Sequence, residues 1–111
     1  MPRTTPDAHS LGTTRGWTYL TNHAHVLICL ARDPECRLRD VADQIGITER
    51  SVQNIVHDLV EEGVLEKIRV GRRNHYRIRG NLHLRHPMEA SSRVADLLQM
   101  ANPGSRGLSA D

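Results

Sequence analysis

The stretch LRDVADQIGITERSVQNIVHDLVEEG, from Leu38 to Gly63, leaves this chain few folds to choose from. Its apolar residues recur at helical spacing twice, with one break between. Val41, Ala42 and Ile45 share a face of a first short helix, and Val52, Ile55, Val56 and Leu59 share a face of a second. The break is Gly46-Ile47, where glycine can take the left-handed conformation that ends a helix. Thr48 follows in the N-cap position, its hydroxyl placed to accept a backbone N–H of the next turn. Gly63 closes the second helix.

Composition narrows the class. A chain of 111 residues accommodates one small domain with a single core. Phe is absent and aromatics make up 3%, so Leu, Val and Ile must fill that core. A formal charge of +2 is too small to argue for a polyanionic partner, and its distribution carries more information. Cys29 and Cys36 have neither disulfide-framework nor zinc-site spacing, which points to a reduced, cytoplasmic protein. No apolar run approaches the ~18 residues of a membrane span, and the first residues lack the apolar core of a signal peptide. A Gly-rich phosphate loop, a nucleophile with its base and paired carboxylates in a pocket-forming context are all missing. An enzyme is therefore not expected, nor is a cofactor.

Residues 1–16 are rich in Pro, Thr, Ser and Gly and read as a flexible tail, with Arg3 and Arg15 as solvated cations rather than DNA-binding arms. Trp17 to Leu20 reads as a short extended lead-in. Thr21 or Asn22 caps a helix to about Arg32, which Pro34 ends. Leu20, Ala24, Leu27, Leu30 and Ala31 form its inner face. Val26 and Ile28 flank that face, and His25 and Cys29 lie opposite. An outer face this apolar suggests a subunit interface through Val26 and Cys29. His25 and Cys29 have i,i+4 spacing but no third ligand nearby, so no metal is expected. Glu35 to Leu38 reads as a small strand. Arg39 stands where a capping Ser or Asp is commoner, as a solvated helix start or a phosphate contact.

The second helix of the pair presents Arg50, Asn54, His57 and Glu61 outward, with Ser51 and Gln53 on the flanks. Two helices joined by so tight a turn form the helix-turn-helix unit, whose second helix enters the DNA major groove by its N-terminal half. That half offers Thr48, Arg50, Ser51, Gln53 and Asn54. Arg pairs with guanine O6 and N7, Asn and Gln pair with adenine N6 and N7, and the hydroxyls suit phosphate. The acids Asp58, Glu61 and Glu62 gather at the far end.

After Gly63 the period changes from 3.6 to 2. Val64 to Val70 and His75 to Arg79 read as paired strands around a turn at Gly71-Arg72-Arg73-Asn74. Ile68, Val70, Tyr76 and Ile78 should face the core, with Lys67, Arg69, Arg77 and Arg79 outward. These cations, with Arg72 and Arg73, stand against the single acid Glu66. A cationic hairpin directly after a helix-turn-helix is a wing, able to enter the minor groove or grip phosphate. The expected fold is therefore mainly α with a small β-hairpin, a winged helix-turn-helix of about four helices plus a two- or three-stranded wing.

From about Trp17 to Arg79 the chain resembles winged helix-turn-helix regulators of the broad ArsR/MarR type. The likeness is carried by LRDVADQIGITERSVQNIVHDLVEEGVL and then VGRRNHYRI. The ending Leu59-x-x-x-Gly63-Val64-Leu65 is also similar to the Lrp/AsnC group. The resemblance implies sequence-specific binding of double-stranded DNA by a homodimer that represses or activates transcription. It does not extend to the Cys-x-Cys of metal-sensing ArsR proteins, to the long terminal helices of the MarR group, or to an Lrp-type ligand domain.

Asn81 to His86 reads as a connector, and two histidines there are too few for zinc. Pro87 opens a last helix over residues 87–101, with Ala90, Val94, Leu97 and Ala101 in one stripe and Leu98 and Met100 beside it. The domain expectation is a tail over 1–16, a DNA-binding unit over 17–86, a dimerisation helix over 87–101 and a tail over 102–111. The dimer contacts expected are Val26, Cys29, Ala90, Val94, Leu97, Leu98 and Ala101. The competing reading is a winged-helix protein–protein adaptor that ignores DNA, although such modules usually lack a basic wing tip.

Overall fold

The computed structural model describes residues 16–102 and 108–109. Most of the N-terminal tail expectation, with Arg3 and Arg15, lies outside them. Helices α1 (Asn22–Arg32), α2 (Leu38–Ile45) and α3 (Glu49–Glu62) lead into strands β1 (Leu65–Val70) and β2 (Arg73–Arg79). A single 3₁₀ turn at Pro87–Glu89, helix α4 (Val94–Ala101) and a two-residue strand β3 (Leu108–Ser109) complete the chain. Four α-helices plus an antiparallel hairpin make the expected winged helix-turn-helix.

The helix pair forms for the reasons its residues suggest. Gly46 sits at φ 91° and ψ 32°, and its N–H returns to the Ala42 carbonyl at 2.8 Å. The Ile47 N–H bonds the same carbonyl at 3.1 Å, so two donors satisfy the frayed end of α2. Thr48 Oγ1 accepts the Ser51 N–H at 3.0 Å and opens α3. Thr48→Ala should therefore lower stability by about 1 kcal/mol in urea unfolding, with an unchanged m-value. Val52, Ile55, Val56 and Leu59 are the buried residues of α3. Gly63, at φ 87°, turns the chain directly into β1.

Helix α1 is the hub. Val26 and Leu30 are wholly buried, and α1 packs against α2, α3, α4 and β2. Its apolar outer face thus has a covering within the chain, and Val26 and Cys29 are buried without any second subunit. Asn102 fastens α4 to it: Arg32 Nε donates to Asn102 Oδ1 at 2.7 Å, and Asn102 Nδ2 donates to the Ile28 carbonyl at 3.2 Å.

Several local expectations are corrected. Trp17 to Leu20 bends irregularly instead of extending. Glu35 lies in a turn and Arg37 is the N-cap of α2, so there is no strand at 35–38, and Arg39 is the second helical residue. The carbonyl of Pro34 still receives the Tyr76 N–H at 2.8 Å, which ties this turn to β2.

The hairpin turn is shorter than expected. Val70 pairs with Arg73, leaving only Gly71 and Arg72 in the turn and placing Asn74 within β2. Gly71 has φ 63°, the positive angle that a two-residue hairpin turn needs at that position. The register then pairs Leu65 with Ile78 and Lys67 with Tyr76. Cross-strand partners share a face, so Leu65, Tyr76 and Ile78 point to the core while Ile68 and Val70 lie on the opposite face with His75 and Arg73. Val70 is accordingly 59% exposed.

The C-terminal region departs furthest. No helix runs from Pro87 to Val94. The Leu84 N–H bonds the Ser92 carbonyl at 3.0 Å and the Val94 N–H bonds the Leu82 carbonyl at 2.8 Å. These bonds require extended backbone on both sides, which confines helix to one turn after Pro87 and restarts it at Val94. Asp96 caps the restart, accepting the Arg93 N–H at 2.8 Å. Val94 and Leu98 of α4 are buried in the core, whereas Ala90 lies exposed before the helix. Beyond Asn102, where a tail was expected, β3 adds a parallel partner to β2 at Ile78 and Arg79.

Candidate nucleic-acid interface

Three elements meet along one groove, lined by Leu38 at the start of α2, Gln53 and His57 of α3, and Lys67 of β1. Arg50, Gln53 and Asn54 are exposed along α3. Their side chains project from a helix whose other face is locked into the core, so the polar face cannot rotate inward. Thr48 and Ser51 are differently placed. Thr48 Oγ1 donates to Ser51 Oγ at 2.9 Å while accepting the Ser51 N–H, so both hydroxyls serve the cap first. Arg39 is exposed in the first turn of α2.

The register divides the wing cations. Lys67 and Arg69 lie on the face shared with Leu65 and Tyr76, whereas Arg73, Arg77 and Arg79 lie on the other. On that second face Arg77 Nη2 meets Glu66 Oε1 at 3.1 Å, and Arg73 Nη1 stands 3.7 Å from Glu35 Oε1. His75 Nδ1 is 3.5 Å from the other Glu35 oxygen. These are half-exposed pairs that contribute at most about 1 kcal/mol each, but they draw two guanidiniums toward acids. Arg69 Nε donates to the Gly71 carbonyl at 3.1 Å, folding its side chain over the turn, and Arg72 is exposed at the tip.

Lys67 shares a groove with Gln53 and His57 of α3. This lysine and histidine were not among the DNA-contact candidates read from the sequence. For the lysine the signal was strand parity: a turn of two or four residues puts Lys67 on the face of Tyr76 and Ile78, the helix-facing side. Asp58, Glu61 and Glu62 occupy the opposite end of α3. There Asp58 Oδ2 lies 2.9 Å from His23 Nε2 of α1.

The cysteines stand apart from this surface. Cys29 Sγ donates to Gln44 Oε1 at 3.6 Å, and Gln44 Nε2 approaches Cys36 Sγ at 3.9 Å. Burial pushes both thiols above their ordinary range. Cys36 is the more exposed, so iodoacetamide should label it before Cys29, and both more slowly than in urea-unfolded chain, as read by mass spectrometry. Burial also lowers the imidazole of His25, which hydrogen-bonds Asn22 Oδ1 at 3.2 Å. Among the described residues no three His, Cys, Asp or Glu side chains are grouped as a metal site would require. No helix among them is long and apolar enough to cross a membrane.

The fold and this surface define a winged helix-turn-helix module. Residues 20–69 match the model of the IclR helix-turn-helix domain, from the approach to α1 through nearly all of β1. Among solved structures, the PcaV transcriptional regulator from Streptomyces coelicolor, in complex with its natural ligand, is similar at 23% identity. The alignment covers 86% of this chain and 70% of that one, with a TM-score of 0.47. No curated protein matches the sequence. Residues 20–69 thus carry a helix-turn-helix of a DNA-binding kind within a winged-helix fold.

Proposed function

We propose that this chain binds double-stranded DNA sequence-specifically as a cytoplasmic homodimer, without catalysis or cofactor. In this reading Arg50, Gln53 and Asn54 meet base edges in the major groove. Lys67, Arg69 and Arg72 hold the adjacent phosphates or enter the minor groove. Arg39, Thr48, Ser51, Arg73 and Arg77 flank this set as phosphate contacts. The observation that carries the reading is the fixed polar face of α3 beside the helix-facing cations of the wing. Placement within the ArsR/MarR type rests on the residues of the helix pair and wing, while the family model matched is that of IclR.

A dimer follows from coverage, since one helix and one wing contact too little duplex for tight specific binding. With Val26, Cys29, Val94 and Leu98 filled from within the chain, the contact falls to residues left open. Trp17 and Tyr19 stack edge to face with centroids 4.9 Å apart and are 73% and 91% exposed. They line one hollow with Ala101, and Met100 and Leu97 lie on the same helix.

Selection of bound duplexes from a random pool tests the reading. The expected result is a palindrome whose half-sites are one helical turn apart, and recovery of no enriched sequence would count against it. Arg50→Ala or Asn54→Ala should relax preference at one position of each half-site, by about 1–3 kcal/mol per base pair no longer read, in competition binding. In sedimentation, Trp17→Ala with Tyr19→Ala should shift the dimer toward monomer. The adaptor reading requires instead that duplex DNA leave sedimentation unchanged.

A further inference from the structure

A further concavity, of about 910 Å³, lies between the N-terminal half of α1, the C-terminal half of α3, the connector at Leu82–His86 and α4. We propose that this groove binds a lipophilic monocation and that its occupation is felt at the DNA-reading end of α3. The second half of the proposal rests on the DNA-binding reading above; the first does not.

The floor is apolar. Leu20, Leu82 and Leu84 pack on the core by one side only and leave the rest of their surface to the groove. The rim is acidic, with Asp58, Glu61 and Glu62 from α3 facing Glu89 from the 3₁₀ turn. The last turn of α3 carries acids and no base, at the helix end where the backbone dipole is already negative. That arrangement works against the helix by itself and favours a positive charge brought from outside.

The chain's own counterions are few. Asp58 has His23 at 2.9 Å, and Glu62 has Arg85 Nε at 3.5 Å, on a side chain 81% exposed. Among the described residues Glu61 and Glu89 take part in no ion pair. The neighbouring histidines are occupied by the connector: His83 Nδ1 donates to the Ala90 carbonyl at 2.7 Å, and His86 Nδ1 accepts the Met88 N–H at 3.1 Å.

Chemistry selects the occupant. The carboxylates are not grouped as metal ligands would be, so a small hard cation gains little here. An anion meets a negative rim. A cation with a bulky apolar body satisfies rim and floor together. Because Asp58, Leu59, Glu61 and Glu62 continue the same rigid helix that presents Arg50 and Asn54, repacking at one end moves the other.

The test uses tetraphenylphosphonium and its size-matched anion tetraphenylborate, titrated calorimetrically into the intact chain. The expected result is one cation per chain and at least tenfold weaker binding of the borate. Glu61→Gln with Glu89→Gln should weaken the cation at least tenfold, while Arg85→Ala should tighten it severalfold. Equal binding of the two ions, or a double variant that binds like the parent, would overturn the site. Saturating phosphonium should then change affinity for a selected duplex at least threefold. Cation binding with unchanged DNA affinity would refute the coupling and leave the site standing. Cation binding by a chain that holds no DNA would refute the proposed function and support the groove.

Discussion

Replacing Lys67, Arg69 and Arg72 together by alanine will weaken binding to every duplex by the same factor. Each cation withdrawn from a phosphate should lower the slope of log K against log salt by about 0.9, close to 3 in all. That slope corresponds to a loss on the order of 10²–10³-fold at 0.1 M salt, shrinking toward nothing near 1 M. Filter binding of matched and scrambled duplexes over a salt series measures both. The companion variant Arg73→Ala with Arg77→Ala should lose much less, because Arg73 and Arg77 stand on the other face, beside Glu35 and Glu66. Equal losses in the two variants would show that the wing does not meet DNA by its helix-facing side.

Leu98→Ala should be the most damaging change away from DNA. Leu98 is fully buried where α4 meets the core, and truncating such a leucine costs about 2–5 kcal/mol. For a domain of this size that lowers the melting temperature by about 10–30 °C, a large part of a total stability of roughly 5–15 kcal/mol. Scanning calorimetry checks it, and the outcome also bears on domain organisation. If α4 were an appended dimerisation helix, the variant would lose self-association while the remaining chain kept its melting temperature. A single cooperative transition at lower temperature is the result that the latch of Asn102 on Arg32 and Ile28 leads us to expect.

The helix pair was legible because its signals are local and agree with each other. Gly46 supplies the left-handed turn, Thr48 the cap, and the 3/4 spacing of Val52, Ile55, Val56 and Leu59 the buried face. Each depends on residues within a few positions, so composition along the chain carries it without knowledge of what packs where. The polar face of α3 follows directly, since whatever is not buried on a docked helix points outward.

The wing was legible as an element but not as two faces. Turns of two and of four residues both put Lys67 on the face of Tyr76 and Ile78. It was the apolar character of Ile68 and Val70 that drew them toward the core, against a register that sets them with His75 and Arg73. That register matters for function, because it brings Lys67 beside Gln53 and His57 and sends Arg73 and Arg77 to the other face, beside Glu35 and Glu66.

The sequence by itself therefore determined the helix-turn-helix, its polar face and the presence of a basic hairpin, all products of short-range periodicity and backbone chemistry. Tertiary structure alone decided what covers the apolar back of α1. Pairing of Leu82–Leu84 with Ser92–Val94 breaks the last helix after Pro87, and α4 then docks Val94 and Leu98 in the chain's own core. The docking of α4 joins residues far apart in sequence, and no local pattern distinguishes an apolar stripe that meets its own chain from one that awaits a second.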